Sequence, residues 1–196
     1  MRDIIKPAAT LFFVCIIVSL CLAFTYSVTK SKIEERATQD ALAARKEVLT
    51  MADSFEKINN IEELIQQNPD FTLVKEAYKG IKDRKVQGYV FSLESKGYGG
   101  IINITVGINS KGESSGIIIG QNSETPGLGS KAKEAPFKSQ LTNIKPEGPL
   151  TVIKGKKSKP EEVEAISGAT ITSKAVVKAV QAAIDISAKL AKMEGL

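Results

Sequence analysis

Residues 8–28, AATLFFVCIIVSLCLAFTYSV, form an unbroken run of 21 uncharged residues, and no other stretch constrains the chain as strongly. At about 1.5 Å per residue, such a run crosses a hydrocarbon core of about 30 Å as a helix. Lys6 precedes it, and Lys30 and Lys32 follow it. A cleaved signal peptide has a shorter apolar region, about 7 to 15 residues, ending in small residues at the cut. No Ala-x-Ala follows here, and neither Cys15 nor Cys21 is preceded by the small residue of a lipoprotein cleavage site. The run therefore reads as a retained transmembrane helix behind an N-terminal tail, residues 1–7. Cys15 and Cys21 are six apart, point to different helix faces and read as apolar packing residues. Arg2 and Lys6 nearly balance Lys30, Lys32 and Arg36, so charge asymmetry does not orient the span. A single N-terminal span before a large domain has the shape of a signal anchor. The C-terminal domain is accordingly expected on the extracytoplasmic side of the cell membrane.

The remainder lacks cysteine, and the whole chain of 196 residues lacks histidine. That excludes a disulfide framework, a Cys-rich metal site and the usual proton shuttle. The net charge of +5 comes from scattered lysines without a nucleic-acid-binding pattern. Residues 29–70 read as a helical connector. In its first part, predicted as a helix over 31–58, Ile33, Ala37, Ala41, Ala44, Val48, Met51 and Phe55 recur at helical spacing. In its last part, NNIEELIQQNPD, a short helix ends at Asn68 and Pro69. Residues 71–86 carry no assignable period.

From Tyr89 the period changes to two. Strands are predicted at 89–94, 101–108 and 116–119, with turns at Lys96–Gly100 and Asn109–Gly112. The stretch 121–131 combines Pro, Gly and polar residues and reads as a defined loop. A short helix is predicted at 135–141, a strand at 150–154, a solvated basic loop at 154–159 and a helical turn from Glu161 through Glu164. A long amphipathic helix is predicted from Ser173 to Lys192, with Val176, Val180, Ala183, Ile184, Ser187, Leu190 and Ala191 on one face. The fold class is α+β: a small, mainly antiparallel sheet packed with helices, preceded by one N-terminal transmembrane helix. Residues 71–196 form its folded domain.

Ser167-Gly168-Ala169-Thr170-Ile171-Thr172-Ser173 joins a small-residue backbone and several hydroxyls to that last helix. A helix N-terminus has unpaired N–H groups and a dipole that favours an anion, so the segment suits a phosphate. On spacing alone the simpler reading is that Thr172 or Ser173 is an N-cap.

Three pieces occur in order behind the apolar run: Gly97-Tyr98-Gly99-Gly100, Glu124-Thr125-Pro126-Gly127-Leu128-Gly129, and Ser167 to Ser173. Together they resemble the FMN-binding domain of the G subunit of Rnf-type ion-translocating electron transport complexes, over nearly the whole chain. The C subunit of the sodium-translocating NADH:quinone oxidoreductase is a close relative. The resemblance implies an electron-carrier subunit, not catalytic alone, in a membrane complex that couples electron flow between ferredoxin and NAD to ion translocation. It implies FMN joined through its phosphate to a threonine of the pattern Asp-x-x-Ser/Thr-Gly-Ala-Thr/Ser, installed by a separate flavin transferase. Thr170 is the matching residue, and Glu164 holds the acidic position in place of Asp. Asn122 stands where relatives often have His.

The expected cofactor-binding set is Thr170 with Ser167, Gly168, Ala169, Ile171, Thr172 and Ser173, the loop residues Glu124, Thr125, Gly127 and Leu128, and Tyr98 and Lys131. In this reading the N–H groups of Ile171, Thr172 and Ser173, the Thr172 hydroxyl and Lys131 serve the phosphate, while Tyr98 and Leu128 meet the ring. The expected partners are the other subunits of the complex and the transferase. The competing reading is a membrane-anchored extracytoplasmic binding or scaffold protein without flavin.

Overall fold

The computed structural model describes residues 2–59, 61, 65 and 69–194, and divides into two compact units, up to Ala43 and from Ala44 onward. Helix α1 (Arg2–Val48) contains the apolar run and continues without interruption beyond it. The stretch Pro7–Val48 includes a window of mean hydropathy 2.5 with no buried residue, which makes it long and apolar enough to cross a membrane. The Thr25 and Thr29 hydroxyls donate to the carbonyls of Cys21 and Thr25, at 2.8 and 2.7 Å. Both polar protons are thus satisfied within the helix, as an apolar surrounding requires.

The expected boundaries at the front change. Residues 2–7 are helical, and the helix expected to reach residue 58 ends at Val48. Phe55, whose spacing suggested helix, instead lies in the edge strand β1 (Ser54–Lys57), where pairing with the neighbouring strand overrides the period. The short helix expected over 59–70 lies largely outside the described residues. Its described end, Pro69–Leu73, is a 3-10 turn.

In the second unit, β1, β2 (Val74–Lys82), β3 (Lys85–Lys96), β4 (Ile101–Asn109) and β5 (Ser114–Ile119) form an antiparallel meander in that order. Strand β2 and the start of β3 fill the region without sequence assignment. Their turn is Asp83-Arg84, with φ of 50° and 61°, so two non-glycine residues take the left-handed conformation of a tight hairpin. No glycine marks this turn in the sequence. At the next hairpin but one, the Asn109 side chain accepts the N–H groups of Lys111 and Glu113 at 2.9 and 3.0 Å.

Alternation along the strands gives the sheet two covered faces. Tyr89, Phe91 and Leu93 of β3, with Ile102, Ile104, Val106 and Ile108 of β4, face the last helix, α3 (Thr170–Glu194). Val176, Val180, Ala183, Ile186 and Leu190 of α3 are buried in return. The opposite face, carrying Tyr78 and Val90, is covered by Val48, Leu49 and Ala52. Gly107 and Gly116 permit this close approach. A Cβ at Gly116 would stand 3.2 Å from the Val48 Cα, and one at Gly107 would strike the Val48 carbonyl oxygen. Ser115 Oγ donates to that same carbonyl at 2.5 Å.

Two further corrections concern the approach to α3. Glu161–Glu164, expected as a helical turn, contains strand β7 (Glu162–Glu164), parallel to β6 (Thr151–Ile153). Buried Val163 opposes Val152, so alternation rather than helical period governs the stretch. Helix α3 begins at Thr170, three residues ahead of expectation. Helix α2 (Ala135–Lys138) and a 3-10 turn, Ser139–Leu141, bury Phe137 and Leu141 much as expected.

A polar cluster closes the edge of the second face. Glu76 accepts from Lys57 Nζ at 2.6 Å and Tyr78 OH at 2.9 Å, while the Arg45 guanidinium lies 3.8 Å away and 3.6 Å above the Tyr78 ring. The hydrogen bond from Lys57 holds the Glu76 carboxyl below the ordinary carboxylate range, whereas burial first and Glu76 second push the Tyr78 phenol up. A depressed carboxyl stabilises the fold above its unfolded pKa, about 4.3, and that stabilisation disappears as pH falls through the lower folded value. Thermal melts of the full chain in detergent are expected to lose stability below about pH 4.3 more steeply for the native protein than for Glu76→Gln. Equal slopes would contradict this assignment.

Candidate functional site

The carboxylate of Glu124 is where the three sequence motifs meet. Only 7% of this residue is exposed. Its Oε1 accepts the Gly99 N–H at 2.9 Å, and its Oε2 accepts the Thr172 hydroxyl at 2.5 Å. A buried carboxylate needs such donors, since an unmet one would lose its hydration without replacement. Glycines make the room. A Cβ at Gly129 would approach both Glu124 Cβ and Thr172 Oγ1 to 2.9 Å, and one at Gly97 would strike Glu124 Oε1 and lie 2.6 Å from Ile102 Cδ1. The turn after β3, the loop 124–129 and the first turn of α3 thereby share one carboxylate.

The loop has its own internal bonds. Thr125 O accepts the N–H groups of Leu128 and Ser130 at 3.1 and 3.3 Å, and the Gly127 N–H donates to Ser130 Oγ at 2.8 Å. Gly127 has a φ of +76°, a conformation that glycine takes without strain. Asn122 bonds locally, its Nδ2 to Gly120 O at 3.0 Å and its Oδ1 from the Glu124 N–H at 3.3 Å, and so shapes the entry to the loop.

The α3 terminus differs from the capping arrangement expected. Ser173 Oγ accepts the Ile166 N–H at 3.0 Å and donates to Ala169 O at 2.9 Å, while Ser173 N donates to the same carbonyl at 3.0 Å. Ser173 is therefore a buried staple at the fourth helical position rather than an N-cap, and its N–H is already used. The Thr172 hydroxyl has donated its only proton to Glu124, so that side chain has no donor left for a phosphate. The N–H groups that precede the first helical bond belong to Thr170, Ile171 and Thr172.

In front of these three groups lies a cavity of about 830 Å³. Of the expected residues, Tyr98, Glu124, Thr125, Leu128, Ser167, Gly168, Ala169, Thr170, Ile171 and Thr172 line it. Gly127, Ser173 and Lys131 stand outside the lining. Gly129 of the second motif also lines it, and Lys154, Gly155, Ala165 and Ile166 line it without having been expected there. Lys154 belongs to a lysine run that the sequence presents as a solvated loop. Its proximity depends on the β6–β7 pairing, which has no sequence signature of its own. Glu164 acts on the same loop, since its Oε1 accepts the Lys157 N–H at 2.8 Å.

The cavity suits a cofactor with an anionic end and a flat apolar part. Its volume falls within the usual range for such sites, about 300 to 1,000 Å³. The helix N–H groups and Lys154 favour an anion near Thr170, and the exposed side chains of Tyr98, Leu128 and Ile171 offer apolar surface.

Comparison with known proteins gives this arrangement its class. Residues 97–185 match the FMN-binding domain, which encloses every residue of the cavity, and residues 1–48 match the RnfG N-terminal region. The chain is 35% identical to the G subunit of the Na(+)-translocating ferredoxin:NAD(+) oxidoreductase complex of Acetobacterium woodii, over 97% of this chain and 95% of that protein. It is 33% identical to the G subunit of the proton-translocating ferredoxin:NAD(+) oxidoreductase complex of Clostridium ljungdahlii, over 94% and 91%. Among solved structures, the C subunit of the Na(+)-translocating NADH-quinone reductase from Parabacteroides distasonis is similar at 25% identity, with a TM-score of 0.45 over 57% of this chain and 58% of that one. This is an FMN-binding protein with a membrane-spanning type of N-terminal helix. The chain belongs to the G-subunit family of Rnf-type ion-translocating oxidoreductase complexes.

Replacing Thr172 with Val removes one of the two donors to Glu124 and is expected to cost about 1 to 3 kcal/mol. Chemical denaturation of the full chain in detergent measures this. A loss below about 0.5 kcal/mol would mean that the Glu124 contact does not hold the loops together.

Proposed function

We propose that the chain is an electron-carrier subunit of a membrane-bound complex, with FMN joined through its phosphate to the hydroxyl oxygen of Thr170. The supporting relatives are named for complexes that pass electrons between ferredoxin and NAD(+) while translocating Na(+) or protons. The same role is inferred here, with the domain extracytoplasmic and the ion path in other subunits. The observation that carries the Thr170 assignment is its position. Thr170 is the first residue of α3, lines the cavity and is partly exposed, whereas Thr172 and Ser173 are buried and already hydrogen-bonded.

Bound FMN supplies reversible electron uptake and release. The residues of this chain bind and orient it. The N–H groups of Thr170, Ile171 and Thr172 receive the phosphate, with Lys154 as the cationic side chain of the cavity wall. This role replaces the one expected for Lys131. Tyr98, Leu128 and Ile171 provide apolar surface for the ring. Glu124 fixes the loops through Gly99 and Thr172. A threonine hydroxyl is a weak nucleophile, and both Glu124 oxygens already accept hydrogen bonds, so attachment falls to a separate transferase. A covalent tether keeps the carrier at a fixed place during turnover.

Thr170→Val and Thr170→Ser, each made with the native partners and transferase, test the reading. The Val variant is expected to lose all flavin that survives denaturation, and the Ser variant to retain it. Both are expected to keep the stability of the parent within about 0.5 kcal/mol. Flavin retained by the denatured Val variant would overturn the assignment.

A further inference from the structure

Beside the cavity mouth, residues 154–159 read Lys-Gly-Lys-Lys-Ser-Lys, four lysines in six residues, all of them exposed. A lysine run of this kind is usually a mobile, solvated loop, but here two carboxylates fix its backbone. Glu162 Oε2 accepts the Ser158 N–H and hydroxyl at 2.8 Å each and the Lys159 N–H at 3.1 Å. Glu164 Oε1 accepts the Lys157 N–H at 2.8 Å. The main-chain N–H of Ser158 leads the effects that hold the Glu162 carboxyl below the ordinary carboxylate range. Among the described residues, no ion pair engages Lys154, Lys156, Lys157 or Lys159. Two acids of β7 thus shape the loop backbone, and Lys156, Lys157 and Lys159 are exposed.

The cavity rim has a second property. Tyr98 is 72% exposed, Ile171 54% and Leu128 42%, and all three line the cavity that Lys154 also lines. One mouth therefore combines apolar side chains with a preorganised basic loop. Protein interfaces often have this composition, with apolar contact at the centre and charge at the rim to steer approach.

We propose that this mouth is a docking surface for an acidic face of another protein subunit, which seats over the cavity with its carboxylates against Lys156, Lys157 and Lys159. The inference rests on the electron-carrier reading for the purpose of the contact, although not for the contact itself. A rigid loop favours a protein partner over an anionic lipid surface, since lipid headgroups rearrange around a flexible basic segment as readily as around a fixed one. Fixed spacing is useful against fixed carboxylates. Lys156 and Lys157 lie outside the cavity lining, so changing them leaves the cofactor site intact.

Two experiments on the intact membrane complex test the surface. Zero-length carbodiimide cross-linking followed by peptide mass spectrometry is expected to join Lys156, Lys157 or Lys159 to Asp or Glu of a different subunit, whether or not flavin is present. The double variant Lys156→Glu/Lys157→Glu is expected to keep its flavin content. It should slow reduction of that flavin within the complex about tenfold or more at low ionic strength, or else dissociate the subunit. Lys156→Gln/Lys157→Gln should lie between the two. Absence of cross-links to any subunit would overturn the proposal. So would an unchanged rate with intact assembly, or an effect that appears in anionic but not in neutral nanodiscs. A Thr170 found unmodified would instead overturn the flavin assignment and leave the cross-linking result to decide this one.

Discussion

The site depends on one buried carboxylate. Glu124 accepts one hydrogen bond from the turn after β3 and one from the first turn of α3, and it belongs to the loop between them. Three segments that are distant in sequence, with Gly99 and Thr172 at 25 and 48 positions from Glu124, are closed by a single side chain. Charge-assisted hydrogen bonds of this kind are about twice as strong as neutral ones, and leaving either oxygen unpaired would cost more than the bond gains. Gly97 and Gly129 are part of the same contact, because a Cβ at either would occupy the space of the carboxylate or its partner.

The sheet carries this arrangement from beneath. One face holds α3, whose first residue is Thr170, and the other holds Val48, Leu49 and Ala52 against Gly107 and Gly116. Because α3 is packed along the sheet through Val176, Val180 and Ala183, its N-terminus has little freedom to shift. The free N–H groups of the helix are therefore presented at a fixed place on the cavity wall. Ser173 contributes by tying Ile166 and Ala169 together just before the helix. The hydroxyls near the terminus have different tasks: Thr170 faces the cavity, Thr172 serves Glu124, and Ser173 serves the backbone.

Much of this was legible in the sequence where a strong local signal coincides with the tertiary outcome. The apolar run is legible by length and composition alone, and the alternating strands from Tyr89 onward and the face of α3 combine a clear period with burial. The three motifs were recognisable as a set, although nothing local shows that Glu124 would connect them. The sequence was least informative where long-range pairing decides. Asp83-Arg84 makes a left-handed turn without glycine, Phe55 continues a helical spacing into a strand, and Glu162–Glu164 becomes a strand through β6. Lys154 follows β6 directly and lines the cavity, whereas Lys131, the cation expected from the family resemblance, stands outside the lining. The hydroxyl roles were also hidden, because a Ser or Thr at a helix start has the same sequence appearance whether it caps, staples or faces a ligand.

The division of labour among these hydroxyls gives the most direct test. Fragmentation mass spectrometry of the peptide containing Thr170, from chain purified with its native partners, locates any flavin to a single residue. FMN joined through its phosphate to Thr170, with Thr172 and Ser173 unmodified, is the predicted result. An unmodified Thr170, or flavin on Thr172, would contradict the account.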